Sequence, residues 1–407
     1  MTHYDADGDQ FVEITERQCA AASAGWDYCE LATIQSTDTV GPTQAGQHLL
    51  HPAMAIRKIP STGELELYLS RVEDDYYISC PDNGGSPVWD LAGYQFRPDA
   101  VGNPFIWEVA IHAAFQLTSE CTDHGITELT FDGSTPHACY TNFTDTEERI
   151  QCNYYAGIDQ YEWEHPANIP LESGLPAGSV TMEDHPSFNM GPGGRYVALH
   201  KQLDLPGSGG SNHTIEMNFP DGTALDISLA NQVRKNFPNT SRNGGVQRVV
   251  WEEDDDVNAR LMYAQCSSDC SQLTNWTHEQ ITDGAVHKDA RRVEHIVDLG
   301  DQREFVSFSY DSSQVGAARN RVVLGTRCLG DATWTFEQVR DPGAGREFWD
   351  QMLNYGRPSI VLDKANDIVM LAFVEAEQWN DGNFPTPGTE SNAVWIRADY
   401  GVLPSCL

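Results

Sequence analysis

A repeat of about 60 residues restricts the fold of this chain more than any other feature. Leu261-Met-Tyr-Ala-Gln-Cys266, a polar turn and Trp276-Thr-His-Glu-Gln-Ile281 recur as Val322-Val-Leu-Gly-Thr-Arg-Cys328, a turn and Trp334-Thr-Phe-Glu-Gln-Val339. The two tryptophans lie 58 residues apart. A fainter pair, Trp26 and Trp89, lies 63 residues apart near the N-terminus. Within each copy apolar and polar residues alternate, which is the period of a strand with one buried face.

A second landmark opens the units: a polar residue, a proline and an apolar run. It occurs at His51-Pro52, His185-Pro186 and Arg357-Pro358. Proline suits the first position of a strand, where no ladder donor is needed. Units near Arg248 and His295 are expected to begin in the same way without proline. Each unit then reads as four short strands. A single four-stranded sheet of this size cannot cover its own faces, whereas radial stacking covers them.

The expected fold is therefore an all-β β-propeller. Unit starts near 52, 107, 186, 248, 295 and 358 predict six four-stranded blades, or seven if 107–185 holds more than one. The Trp26 strand has no unit of its own and the C-terminal unit lacks a last strand, so the N-terminal strand is expected to close the ring. A tandem of β-sandwiches is the competing fold, but it does not require a 60-residue period. The tryptophans read as blade-packing residues. The expected organisation is a segment over 1–18 followed by one propeller domain over 19–407.

The chain of 407 residues carries 60 acidic and 25 basic residues, a net charge of −35. Such a surface repels nucleic acid and anionic lipid, which excludes both as expected partners. No run of apolar residues is long enough to span a membrane. The ten cysteines include no Cys-x-x-Cys pair. Their even number predicts disulfides and an oxidising compartment, secreted, extracellular or periplasmic. Cys266 with Cys270 is the expected pair; the remaining connectivity stays open. Asn142, Asn212, Asn239 and Asn275 begin Asn-x-Ser/Thr sequons.

Ser267-Ser-Asp269-Cys-Ser271 followed by Asn275-Trp276 resembles a degenerate Asp-box, the turn of the sialidase-like propellers. Serine stands at the usual glycine and the spacing to tryptophan is longer. The resemblance implies the propeller architecture, which hosts hydrolases, lyases, lectins and scaffolds alike. A second resemblance lies at the N-terminus. Asp5-Ala-Asp7-Gly-Asp9-Gln-Phe11-Val-Glu13-Ile-Thr-Glu16 resembles an EF-hand loop. It implies Ca2+ held by Asp5, Asp7, Asp9 and Glu16, by the Phe11 carbonyl, and by Glu13 through water. Gln10 replaces the usual glycine. The ion's expected role is structural.

Propeller ligands bind where blade-start residues meet at the axis. His51, His112, Arg248, His295 and Arg357 are accordingly expected ligand-binding residues. The leading expectation is a calcium-binding propeller that recognises an extracellular glycan or protein surface. The alternative is a polysaccharide lyase resembling the ulvan lyases in its use of His, Tyr and Arg, with His185, His200, Tyr196 and Arg195 as catalytic candidates. That chemistry needs a base for the C5 proton, a neutraliser for the carboxylate and an acid for the leaving group. A sialidase-like hydrolase is the third expectation; it needs an arginine cluster and a Tyr/Glu pair.

Overall fold

The computed structural model describes side chains over 185–207, 210–255, 259–283, 290–300, 302–310, 322–338 and 358–362, and at a few single positions; elsewhere it describes backbone strands alone. The described secondary structure is all β except for a turn of 3-10 helix at Leu273–Asn275.

The strands form six antiparallel sheets. Their first strands are Leu49–Lys58, Asp123–Asp132, Val180–Gly191, Arg234–Asn243, Arg291–Asp298 and Ser359–Asp363. Sheet three continues through Gly194–Asp204, Asn212–Asn218 and Ala224–Asp226. Sheet four continues through Val246–Asp254, Ala259–Cys266 and Thr277–Gln280. Sheet five adds Arg303–Asp311, Asn320–Cys328 and Thr335–Arg340. In sheet six, Asn392–Asp399 pairs with Tyr28–Gln35 from the N-terminus, Val394 opposite Ile34. Gln10–Thr15 and Thr2–Tyr4 extend that sheet further.

Two expected unit starts are corrected. Trp107–Val109 is the fourth strand of sheet one, and sheet two begins at Asp123. Arg248 lies on the second strand of sheet four, which begins at Arg234. The landmark of that unit is Phe237-Pro238. It escapes a search for a polar residue before proline because Phe237 is apolar and buried.

Each first strand packs against the next: Leu49–Lys58 on Asp123–Asp132, that on Val180–Gly191, and so on to Ser359–Asp363, which returns to Leu49–Lys58. Four of these strands share a bulge. The ladder with the second strand skips between Leu50 and Ala53, Asp184 and Ser187, Asn236 and Asn239, and Arg291 and Glu294. At three bulges one residue takes a positive φ: His185 (53°), Phe237 (49°) and Arg292 (62°). For residues other than glycine this region is uncommon and carries strain, so the surrounding packing must hold it. The proline after His185 and Phe237 sits where the ladder is already broken and no donor is lost.

The bulge ties sheets three, four, five and six together in order. Two residues beyond the positive φ stands a hydrogen-bond acceptor, and its partner is the N–H three residues beyond the equivalent point in the next sheet. Ser187 Oγ accepts from Thr240 N at 2.9 Å, Asn239 Oδ1 from His295 N at 2.8 Å, and Glu294 Oε2 from Ile360 N at 3.1 Å. Asn239 is 5% exposed and engaged in this bond, so its sequon is closed to glycosylation in the folded chain.

Between sheets three and four lies an apolar core of Ile215, Met217, Ile227, Val249, Trp251 and Trp276. Between four and five lie Val250, Leu261, Tyr263, Val293, Val306 and Phe308. Burying such side chains contributes about 1.5–3 kcal/mol each. Cys266 bonds to Cys270, as expected, and Cys328 to Cys406.

Candidate functional site at the inner strands

The strained residues of three consecutive sheets touch one another. The His185 ring meets Phe237 edge-on, centroids 4.1 Å apart. The Arg292 guanidinium lies 3.8 Å from the centre of the Phe237 ring. A buried cation over an aromatic face is stabilised by the ring quadrupole, by about 2 kcal/mol when desolvated. The bulges aim these side chains at one another; in an unbulged strand the register at this point would differ by a residue.

From His185 the contacts continue into sheet three. His200, on the second strand, lies 6.1 Å from His185 between ring centroids. Its Nε2 is 3.0 Å from Nδ1 of His213, and the two rings stack at 5.2 Å. One nitrogen of that pair carries the proton and the other accepts it. Lys235 closes the group. Its side chain is wholly buried, and its ammonium donates to Asn231 Oδ1 at 2.6 Å and to the carbonyls of Val233 and His213. Burial pushes its pKa down from the ordinary lysine value. Among the described residues it makes no ion pair. His185, at 7% exposed, and His200, at 4%, form the floor of this region rather than its rim.

A second constellation is buried between sheets four and five. Glu304 accepts from Arg327 Nη2 at 3.0 Å and Nε at 3.2 Å, and Arg248 Nε lies 3.3 Å from its other oxygen. His295 Nε2 is 3.5 Å from Glu304, and its Nδ1 is 2.9 Å from the Ser241 hydroxyl. The Tyr263 hydroxyl is 3.1 Å from Gln265 Oε1 and 3.4 Å from Glu304 Oε1. Burial alone raises a carboxyl pKa, but His295, Arg327 and Arg248 outweigh it and hold Glu304 at about 2. Burial lowers the His295 pKa, the two arginines lower it further, and Glu304 opposes them. Tyr263 is pushed up by burial and by the Glu304 charge. This cluster is an ionised glutamate held by two arginines and a histidine whose charged form burial disfavours.

Several expected site residues are thereby located. His185 and His200 come together. Tyr196 does not join them: it pairs with Asn189 toward the hairpin end of the strand and donates its hydroxyl to Pro192 O at 3.0 Å. Arg195, opposite Met190, lies beside it, and burial lowers its pKa. His295 and Arg248 are buried in the glutamate cluster. His51 lies on the first strand of sheet one. His112 and Arg357 fall outside the described residues, as do Asp5, Asp7, Asp9 and Glu16; Phe11 and Glu13 lie on Gln10–Thr15.

Phe237, Arg292, His213, Lys235, Glu304 and Arg327 were not singled out from sequence. Phe237-Pro238-Asn239 matches His185-Pro186-Ser187 once the proline rather than the residue before it is taken as the anchor. Nothing in the sequence marks the other five.

No protein-family profile matches the chain and no curated protein sequence matches it. Solved structures do. An α-L-arabinofuranosidase from Fusarium graminearum, in complex with an iminosugar inhibitor, is similar with a TM-score of 0.51 at 12% identity, over 86% of this chain and 92% of that one. An exo-1,5-α-L-arabinanase from a bovine ruminal metagenomic library gives 0.41 at 9% identity, over 72% of this chain and 97% of that one. A Trypanosoma rangeli sialidase gives 0.49 at 11% identity over 92% of this chain; the chain spans 60% of the sialidase's length. At such identities the likeness is one of architecture: the all-β sheets of this chain are arranged as in the β-propeller glycosidases.

Proposed function

We propose that this chain is a secreted, six-bladed β-propeller that recognises an extracellular glycan at its inner strands. The sequence of first strands packed each on the next, and the ladder between Tyr28–Gln35 and Asn392–Asp399, support a ring over 19–407 closed by the N-terminal strand. The turn at Ser267–Ser271 acts as its Asp-box: Asp269 accepts from the Ser271 hydroxyl, and Trp276 Nε1 donates to Cys270 O at 2.9 Å. Disulfides support an oxidising compartment, and among the described residues no helix is long and apolar enough to cross a membrane.

The observation that carries the reading is the continuous set Arg292–Phe237–His185–His200–His213: the first three stand at the strained points of the first strands of three blades, and His200 and His213 lie on the second and third strands beside His185. Strain of this kind concentrates at functional sites. A guanidinium, imidazoles and an aromatic ring together supply the donors, acceptors and apolar face that a saccharide needs. The arabinofuranosidase of like architecture acts on a glycan, which agrees with that partner class.

The lyase reading is weakened because Tyr196 and Arg195 lie away from His185. The sialidase-like hydrolase has a specific observation in its favour: Tyr263, Glu304, Arg248 and Arg327 meet in one cluster. Yet both arginines are occupied by Glu304, which is 2% exposed, so the cluster serves the blade interface. The test is affinity electrophoresis against neutral and acidic polysaccharides, with reducing ends and absorbance near 235 nm followed in parallel. Retardation without cleavage, lost in His185→Gln, is expected. Release of reducing ends establishes a hydrolase instead, and a rise near 235 nm a lyase.

Calcium is the second part of the proposal. Asp5, Asp7 and Asp9 fall outside the described residues, between Tyr4 and Gln10 in the sequence, and such alternate carboxylates suit a hard cation. The proposed ligands are Asp5, Asp7, Asp9 and Glu16, the Phe11 carbonyl, and Glu13 through water. Chelation should lower the melting temperature of the native chain and leave Asp5→Ala/Asp7→Ala unaffected; equal sensitivity of both refutes the site.

A further inference from the structure

At the opposite end of sheets three and four from His185, a concavity of about 460 Å³ opens between the blades. Four turns line it: 191–194 and 219–223 of sheet three, and 243–245 and 267–271 of sheet four. Arg242 stands in its wall, the guanidinium 4.5 Å from the centre of the Tyr196 ring. Phe219 meets the same ring edge-on at 6.1 Å. Gly191 makes the stack possible, because a Cβ there would come within 2.8 Å of both Arg242 Cδ and Tyr196 Cε2.

Arg242 makes no hydrogen bond or ion pair among the described residues. Arg248, Arg260, Arg291 and Arg327, by contrast, all pair with carboxylates. Its position is set by an aromatic ring, and it lines the concavity. Two carboxylates flank it. Asp221 accepts from the Thr223 hydroxyl at 2.7 Å and N–H at 3.0 Å, which lowers its pKa, and Asp269 accepts from Ser271. Each keeps further acceptor capacity. Ser267 and Ser268 add exposed hydroxyls.

We infer that this concavity is a second ligand site, and that it binds a neutral saccharide. A fixed planar donor, carboxylate and hydroxyl acceptors and the apolar wall of Phe219 and Pro220 match a ring that carries hydroxyls on its edge and C–H groups on its face. Two carboxylates against one guanidinium, on a chain of net charge −35, disfavour an acidic sugar. The inference rests on the glycan reading proposed above and gives the propeller a second point of attachment at the other end of its blades. Two linked contacts on one polymer strengthen attachment without new contacts at either.

Isothermal titration of the full chain with neutral arabino-, xylo- and galacto-tetrasaccharides, and with a uronate tetrasaccharide, tests this. Two sites per chain are expected for one neutral probe. Arg242→Ala should weaken one of them about tenfold or more, and exposed Asp221→Asn should weaken the same site at an unchanged melting temperature. His185→Gln should affect only the other. If the native chain binds one equivalent that His185→Gln abolishes and Arg242→Ala and Asp221→Asn leave alone, the second site is overturned and the inner-strand reading stands. If the one equivalent depends on Arg242 and not on His185, the second site stands and the inner-strand reading falls. Tighter binding of the uronate probe overturns the neutral class, and no binding of any probe overturns the site.

Discussion

Sheets four and five carry the same words and use them differently. In sheet four, nine residues separate Cys266 from Trp276; in sheet five, five separate Cys328 from Trp334. The shorter turn changes the ladder. Gln265, just before its cysteine, faces Thr277, whereas Thr335 faces Thr326, one residue further from Cys328. A one-residue slip moves side chains to the other face of a strand. Trp276 is accordingly buried between sheets three and four and donates to Cys270 O. Trp334 is half-buried, its indole N–H has no hydrogen-bond partner among the described residues, and Arg327 stacks on it at 4.3 Å. The position that is Gln265 in sheet four is Arg327 in sheet five, where it reaches Glu304 and Glu279. The lower face of one unit is an apolar wedge; that of the other is the edge of a buried ion cluster.

The sharpest way to break this contrast is Glu304→Gln. It leaves Arg248 and Arg327 buried without their shared carboxylate, and a loss of about 5 kcal/mol in urea unfolding is expected, the upper end for breaking a buried pair. The same cluster sets a pH dependence. Glu304 is depressed to about 2, so its contribution is complete above the unfolded value near 4.5 and is lost as pH falls toward 2. His295 is also depressed, so its neutral form stabilises the fold above 6.5 and that contribution fades on acidification. Stability should therefore decline from about pH 6.5 downward, and the His295→Gln variant should lose the upper part of that decline.

The disulfides extend the contrast. Cys328–Cys406 spans 78 residues and Cys266–Cys270 spans 4. By loop entropy, removal of the first costs about 4.5 kcal/mol and of the second about 2; equal losses of melting temperature in Cys406→Ser and Cys270→Ser would contradict that ranking. Next come the tryptophans. Trp276→Ala should cost about 3–4 kcal/mol, in the range for a fully buried indole, and Trp334→Ala about 1–2, chiefly its stack on Arg327. The smallest effect is expected at Gly325, which occupies the place of Tyr263. A Cβ there meets Val306 Cγ2 at 2.6 Å and Phe336 at 2.9 Å, so Gly325→Ala should cost about 1 kcal/mol by overpacking.

Much of the fold was legible in the residues. Alternating strands ending in Cys266 and Cys328 identified the third strands, and His185-Pro186 identified a first strand, whose bulge only the structure shows. The starts near 107 and 248 were misplaced for a physical reason. Between Trp107 and Val180 the polar-proline dipeptides, Thr135-Pro136 and His165-Pro166, fall on the second and fourth strands of sheet two and not on its first, and at Phe237-Pro238 the residue before proline is apolar because it packs under Arg292. The site was less legible. His185 and His200 lie on adjacent strands of one sheet and share a pattern of spacing, so they could be paired from sequence. Tyr196 and Arg195 are as near in sequence, but the strand rises about 3.3 Å per residue and takes them to its other end.

The sequence by itself determined the unit: four strands, their alternation, the local Cys266–Cys270 bond and the tryptophan turn. All of these are set by contacts within about 60 residues, and hydrophobic period and turn chemistry report such contacts directly. Only the tertiary structure decided what each unit presents to its neighbour. Ser187 with Thr240, Arg292 over Phe237, Glu304 between Arg248 and Arg327, and Arg242 beside an open concavity each join residues from different sheets or different turns. The charge of a side chain is visible in the sequence, but its partner is fixed by how two twisted sheets meet, and no local pattern encodes that distance.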